Sequence, residues 1–484
     1  MTWRIGSVCV AAIVAASAVV AGRSNLQPPT FAKATVGKPA PNLQLDAVFA
    51  AYDSKTSPGC SLGVFKDGAI AYSRGYGMAS LEHDAPITPE TVFYAGSVSK
   101  QFTAMAAALA IKQGKLGYED PIRKYLPELP AYADAVKVRH LLHHTSGLRD
   151  YNTLLSIAGR RDEDAWDNRV VLQMTARQTA LNFTPGDEYL YSNTGYTLLA
   201  TIVERATGVK FADFADANIF KPLAMAVTHY HVDARRLVPH RALAYGGRDG
   251  AWTLDTPINE RAGAGGLYTS IPDLLKWDEN FYTGNVGGPD VLKQIQTRGR
   301  LNDGKELPYA WGLQIGDYRG LPIVEHSGSL GGYRAHILRF PSQHTSVALL
   351  CNASSIAPTT LARRVADVVL GERLTQPVPP AGSGGVPGSI LGPAVAMPPD
   401  DVREYAGTYY SDEVEASFTF TAVDGGLMMK RETDPSPIGV ARGAEAGEFR
   451  GAGLAIHFQR DAAKKVIGLS VDAGRVRDIK FTKR

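Results

Sequence analysis

A serine and a lysine three residues apart, in Ser97-Val98-Ser99-Lys100, stand where Tyr94-Ala95-Gly96 gives way to an Ala-rich run. The run from Gln101 to Lys112 contains neither Pro nor Gly and predicts a helix with Ser97 in its first turn. Residues three apart share a helical face, so Lys100 can sit beside the Ser97 hydroxyl. A serine is a weak nucleophile until a base takes its proton. A lysine is that base only as a neutral amine, which burial or a neighbouring cation favours. The helix N-terminus adds backbone N–H groups where an oxyanion could form. So short a pattern also arises by chance, as a helix start with a solvated lysine, and the rest of the chain has to decide.

Two further stretches carry chemistry: Tyr191-Ser192-Asn193, after Thr184-Pro185-Gly186, and His326-Ser327-Gly328, followed by Ser329-Leu330-Gly331-Gly332-Tyr333. Other candidates fit less well. His143-His144 and His229-Tyr230-His231 invite a metal reading, but no Glu lies at zincin spacing, and no metal is expected. Gly59-Cys60-Ser61-Leu62-Gly63 matches the nucleophile-elbow pattern, which needs a strand before the serine and a helix after it. Ser61 instead follows Pro58-Gly59 and opens a hairpin strand.

The elements that must position these residues form an α+β layout. Cys60 to Phe65 and Ala69 to Tyr72 flank Lys66-Asp67-Gly68, a hairpin signal. After the Ser97 helix, Asp120-Pro121 opens a second helix ending at Tyr125-Leu126-Pro127, and Val138 to Leu142 reads as a short third. Ala310 to Ile315, Leu321 to His326, Tyr333 to Phe340 and Ser346 to Cys351 read as strands, with Leu361 to Leu370 as a closing helix. The expected sheet joins the N-terminal hairpin to these late strands and has an inserted helical region, all within one domain over 42–375. A Pro/Gly-rich linker over 376–399 separates it from a small antiparallel barrel-like or sandwich-like all-β domain over 400–484.

At 484 residues, 44% hydrophobic and 20% charged, the chain has the composition of an ordinary globular protein. A net charge of +3 with no basic aromatic-interleaved patch excludes nucleic acid as a partner. Residues 1–21, a charged start followed by an apolar run ending in small residues, read as a secretory signal peptide, and 22–41 as an extended lead-in. No membrane span is expected after cleavage, which places the chain in the periplasm or outside the cell. Cys60 and Cys351 then remain, either paired or as two buried thiols.

The three motifs, in this order and separation, resemble the serine β-lactamase and penicillin-binding-protein superfamily. The likeness is to the class C β-lactamase-like branch of esterases, D-aminopeptidases and D,D-carboxypeptidases. Leu141 to Leu148 and Gly265-Gly266-Leu267-Tyr268-Thr269-Ser270 resemble that branch as well. The resemblance implies an exported serine hydrolase working through an acyl-enzyme on an ester, amide or peptide bond, with no cofactor. Ser97 would be the nucleophile, Lys100 would hold or take its proton, and Tyr191 would act as general base, as a phenolate or a relay. Asn193 would hold Lys100 or the substrate carbonyl, and the backbone N–H groups of Ser97 and Ser329 would form the oxyanion hole. Gly328 would let substrate lie along the strand edge. His326, where many members have Lys, would touch substrate with a mostly neutral ring, which leans away from a dedicated β-lactamase. The substrate would be a small molecule or peptide, such as one derived from the cell wall. A weak β-lactamase, or a non-catalytic relative binding cell-wall peptides or partners, is the alternative. In the family's sheet the first strand lies antiparallel to the last, which implies a Cys60–Cys351 disulfide.

Overall fold

Ser346 to Cys351 is apolar without alternation, as a strand covered on both faces should be. In the computed structural model strand Thr345–Cys351 is buried along its whole length. The structure describes residues 42–160, 166–248, 250–378, 402–424, 426–443, 445 and 447–484. The expected signal peptide, the lead-in and all but the start of the 376–399 linker lie outside the described residues.

Six antiparallel strands make the main sheet: β1 Cys60–Lys66, β2 Ala69–Tyr76, β3 Gln314–Tyr318, β4 Leu321–Leu330, β5 Tyr333–Phe340 and β6 Thr345–Cys351. Their spatial order is β3-β4-β5-β6-β1-β2, so the first and last strands in sequence, β1 and β6, lie side by side within the sheet. Cys60 stands directly opposite Cys351 in the β1/β6 ladder, and the two are disulfide-bonded. The helices used below are α1 Leu43–Phe49, α2 Ser99–Lys112, α3 Val138–Leu142, α4 Tyr151–Ile157, α5 Asn168–Ala176, α6 Asn193–Thr207, α7 Ile271–Thr283 and α8 Pro358–Leu370. Side chains alternate across the sheet. Val347 and Leu349 pack with Leu62 and Val64 against α1 and α8. Ala348 and Leu350 face the opposite layer, which contains α2, α6 and α7. α2 is buried almost throughout because its alanines let neighbouring elements approach closely.

Beyond this layer, eight strands close into an antiparallel barrel: β7 Gly407–Ser411, β8 Ala416–Val423, β9 Gly426–Arg431, β10 Ile438–Arg442, β11 Glu448–Gly451, β12 Leu454–Arg460, β13 Val466–Ala473 and β14 Val476–Lys483. Pairing of β14 with β7 completes the ring, which settles the choice between barrel and sandwich. The barrel interior, with Phe418, Phe420, Leu469 and Phe481, is continuous with Leu154 and Leu155 of α4 and Val171 and Met174 of α5. A buried ion pair crosses the same junction. Arg149 Nη1 donates to Glu413 Oε2 at 2.5 Å, with side chains 1% and 5% exposed. Glu413 also accepts from Thr179 N–H and O–H, and Arg149 Nη2 donates to Asp478 O. Such a pair adds little net stability against an apolar substitute, but breaking it is costly. The barrel is therefore held in one register on the helices.

The chain departs from the sequence expectations in three places. The strand expected over Ala310 to Ile315 is mostly a tight turn, Ala310 N–H to Leu313 O, and β3 begins only at Gln314. Its residues are apolar because they pack beneath α2: Gly312 has φ +70°, and a Cβ there would lie 2.6 Å from the Lys100 carbonyl carbon. The helix expected after Asp120-Pro121 is a single 3-10 turn, Ile122–Lys124. The backbone there bonds sideways, Ile122 N–H to Val136 O and Val138 N–H to Asp120 O. Finally, β4 runs four residues past His326, so His-Ser-Gly lies inside the strand.

No helix among the described residues is long and apolar enough to cross a membrane. The disulfide fits an oxidising, extracytoplasmic compartment. It links residues 291 apart in sequence. Reduction, or Cys351→Ser, is expected to lower unfolding free energy by about 2–4 kcal/mol, read as a lower urea midpoint. Equal midpoints with and without reductant would contradict this.

Candidate active site

Ser97 lies in a 3-10 turn, Gly96–Val98, that runs directly into α2. Gly96 has φ +55°, and a Cβ there would lie 2.4 Å from Ser329 N. A Cβ on Gly328 would lie 2.1 Å from Ala95 O and 2.8 Å from Ser97 N. Two glycines thus let β4 run hard against the serine turn. The backbones at Ser97 and Ser329 are thereby brought close together and both residues line the cleft, an arrangement able to hold an oxyanion.

Lys100 is fully buried in the first turn of α2. Its Nζ lies 2.9 Å from Asn193 Oδ1, 2.9 Å from Ala264 O and 3.1 Å from Ser97 Oγ. The first two can only accept. The third is a hydroxyl that can accept from an ammonium or donate to an amine. Burial, helped by the nearby Arg475 and opposed by Asp150, holds the amine well below the ordinary 10.5. The free base, with two N–H bonds and one lone pair, fits these three neighbours.

Asn193 opens α6, and its N–H donates to Asp150 Oδ2 at 2.6 Å. Asp150 Oδ1 caps α4 through Thr153 N–H. One carboxylate therefore fixes the starts of two helices, a role that no spacing in the sequence suggested. Tyr191 lines the same cleft as Ser97, and its ring centroid lies 4.8 Å from Lys100 Nζ. Burial pushes its phenol up, more than the nearby Ser97 and Arg475 bring it down. The neutral phenol is the resting form, which favours the relay over the phenolate.

His326 is placed differently from the sequence expectation. It is 2% exposed, with Nδ1 2.6 Å from Ser327 O and Nε2 3.0 Å from the Tyr309 hydroxyl. Burial, with Lys100 adding, pushes the imidazole down to about 3. Nδ1–H donates and Nε2 accepts, so both nitrogens are used within the protein. His326 supports an aromatic cluster behind Tyr191 and does not line the cleft. His144 belongs to that cluster: its ring lies 4.2 Å from that of Tyr191, and its Nδ1 accepts Ser192 N–H at 3.1 Å. It orients the Tyr191 turn.

The remaining sequence candidates stay outside the chemistry. His143 packs on Trp311 and hydrogen-bonds to Tyr118. His229 hydrogen-bonds to Val227 O. Ser61 is buried in β1 and donates to Thr88 O. No group of three or more His, Cys, Asp or Glu among the described residues could hold a metal ion.

Ser97, Tyr191 and Asn193 open onto a cleft of about 370 Å³, shared with Arg261, Arg334 and Arg475. Arg475 comes from the barrel, in the turn between β13 and β14. Its guanidinium lies 4.8 Å from the Tyr191 ring centroid. The sequence offers no signal for it beyond a glycine-containing turn.

Two outcomes follow from this geometry. If Lys100 acts as a free base, kcat/KM rises with pH on a limb far below 10.5, since only the deprotonated amine can accept. Arg475→Gln removes a like charge and moves that limb to higher pH; a wild-type limb at the ordinary lysine value would contradict the assignment. Gly328→Ala forces β4 away from the Ser97 turn and is expected to lower the unfolding midpoint and, in the variant still folded, to lower kcat by about 10²–10³-fold, as loss of an oxyanion donor does.

Comparison with known proteins agrees with this architecture. The family model described as Beta-lactamase matches residues 45–370. Penicillin-binding protein 4* of Bacillus subtilis (strain 168) is 31% identical over 302 residues, 59% of this chain and 66% of the relative. A D-aminopeptidase of Gluconobacter oxydans (strain 621H) is 29% identical over 353 residues, 72% and 65%. The chain thus spans about two thirds of the length of these curated relatives. Among solved structures, an octameric penicillin-binding protein homologue from Pyrococcus abyssi shares the fold at TM-score 0.59 and 21% identity, over 91% of this chain and 99% of that one. D-amino acid amidase from Ochrobactrum anthropi SV3, complexed with L-phenylalanine, does so at TM-score 0.58 and 22% identity, over 69% and 100%. The family match covers well over half of the residues, and the chain belongs to the Beta-lactamase family of serine hydrolases.

Proposed function

We propose that the protein hydrolyses amide or peptide bonds of D-amino-acid-containing substrates through an acyl-enzyme on Ser97, outside the cytoplasm. The observation that carries this reading is the enclosed Lys100 amine, 3.1 Å from the Ser97 hydroxyl and held by two carbonyl acceptors. Burying a lysine without a bonded carboxylate is costly, and a purely binding cleft has no use for it. Relatives named D-aminopeptidase support the choice of bond and stereochemistry. The units of the reading are a hydrolase domain over 42–375 and an accessory barrel over 400–484.

In this mechanism Lys100 Nζ takes the hydroxyl proton as Ser97 Oγ attacks the carbonyl carbon. The amides of Ser97 and Ser329 hold the oxyanion. Tyr191 passes a proton to the leaving amine as the C–N bond breaks and recovers the one that Lys100 took from Ser97. Water then attacks the ester, its proton follows the same path, and carboxylic acid and free Ser97 result. Asn193 fixes the Lys100 amine. His326, His144 and Tyr309 position Tyr191 from behind.

Intact mass after exposure to a small activated phosphonate should show one adduct on wild type and none on Ser97→Ala. Lys100→Ala should lower kcat by about 10²–10⁴-fold. N-acetyl-D-alanyl p-nitroanilide should turn over at least about tenfold faster than its L isomer. A folded wild type that takes no phosphonate would sink the catalytic reading, and equal rates on the two isomers would remove its stereochemical part.

A further inference from the structure

One rung of the main sheet joins the disulfide to the cleft. Across β4, β5, β6, β1 and β2, the residues directly opposite one another are Ser329, Arg334, Cys351, Cys60 and Tyr76. Ser329 and Arg334 line the cleft, and both cysteines are fully buried. Cys351 therefore lies in the same row as Ser329, two strands away, at about 10 Å given the spacing of paired strands. Its Cα is 4.0 Å from that of Cys60, to which it is bonded.

A second connection leaves from the next residue. Asn352 is fully buried, and its side chain is fully used. Oδ1 accepts Gly59 N–H at 2.8 Å, and Nδ2 donates to Met78 O and Leu243 O, each at 2.9 Å. Only an amide fits, because a carboxylate would set an oxygen against two carbonyls. The Asn352 N–H donates to Gly59 O at 3.0 Å, and its carbonyl accepts Tyr245 N–H at 2.9 Å. Tyr245 in turn backs the turn that joins β4 to β5. A Cβ on Gly332 would lie 2.4 Å from Tyr245 N and 2.6 Å from Tyr245 O. Gly332 N–H donates to Asp255 O at 2.9 Å. Ser329 is thus located by two routes, along its rung from Cys351 and around the β4–β5 turn from Asn352. Both start at the end of β6, where the disulfide keeps Gly59 against Asn352.

We infer that the Cys60–Cys351 disulfide and Asn352 together form a positioning clamp for the Ser329 amide, and that they set the rate of acylation as well as the stability of the fold. The inference rests on the acyl-enzyme reading above, in which that amide holds the oxyanion. Such a donor acts only at a fixed distance, and a displacement of about 1 Å costs on the order of 10²-fold in rate. Without the covalent bond the end of the β1/β6 pair loosens, the Gly59–Asn352 contacts lose their geometry, and the Gly331-Gly332 turn relaxes away from the Ser97 turn. Lys100 is held by Ser97, Asn193 and Ala264, none of which belongs to this network, so its titration is left alone. The same molecule with its cysteines reduced is then folded but slow to acylate.

The test times Ser97 labelling by the activated phosphonate at a temperature where circular dichroism shows each protein fully folded. It compares wild type, wild type refolded in reductant, Cys60→Ala/Cys351→Ala and Asn352→Ala. Gly332→Ala, which displaces the same turn against Tyr245 with the disulfide intact, takes the place of Asn352→Ala if that variant does not fold. Each altered protein is expected to label at least about tenfold more slowly than wild type, with the pH limb that reports Lys100 unmoved. Re-oxidation of the refolded wild type should restore the fast rate. A disulfide that served stability alone would lower the unfolding midpoint and leave the labelling rate unchanged, which overturns the inference. A limb that shifts along with the rate marks a general loosening of the site and overturns it too, as does wild-type labelling in the Asn352 or Gly332 variant. No labelling of folded, oxidised wild type defeats the acyl-enzyme reading and this inference with it, whereas fast labelling that ignores the thiol state defeats the inference alone.

Discussion

An amine enclosed without a bonded counter-ion constrains everything around it. Lys100 needs acceptors at fixed points, and these come from three distant stretches: Ser97 in its own turn, Asn193 at the start of α6, and Ala264 in the loop that leads to Leu267. Each must be brought in by packing. α2 can supply the lysine only because its alanines allow α6 and the layers around it to close in. Asp150 can fix Asn193 only because α4 and α6 start side by side. The same enclosure pushes the amine's pKa down and the Tyr191 phenol's up. Position and protonation state thus have one cause.

The sheet serves that enclosure by bringing β4 to the serine turn. The pairing of β1 with β6 joins segments at opposite ends of the catalytic layer in sequence, and the disulfide crosses the same pairing. Contact with α2 is then made through glycines. Gly96, Gly312 and Gly328 each stand where a side chain would meet backbone at under 3 Å. The site is therefore assembled by backbone contact more than by side-chain bridges, which leaves it little room to deform.

What was legible in the sequence divides along the same line. Ser97 and Lys100 were readable because one helical turn fixes their relation. Tyr191 and Asn193 were readable only as the second of three motifs in the order and separation of the family that the chain resembles. The strands with unbroken or alternating apolar residues, Tyr333–Phe340 and Thr345–Cys351, were readable to within a residue. Ala310 to Leu313 misled because burial beneath a helix and burial in a sheet demand the same residue types. His326 was found by position, but its partner Tyr309 arrives from another loop, and only that contact turns its ring away from the cleft. Asp150 and Arg475 were invisible for a related reason. Nothing local to either residue encodes the element it will meet.

Arg475 also imposes an order of events. Ser97, Lys100 and Tyr191 all precede the barrel in the chain, whereas the guanidinium arrives only once the β13–β14 hairpin has formed and Asn182 has clasped its turn. In a chain made from its N-terminus the residues of the reactive centre therefore precede the charge that faces them. A cleft without that hairpin in place would hold the same reactive residues in a different electrostatic field.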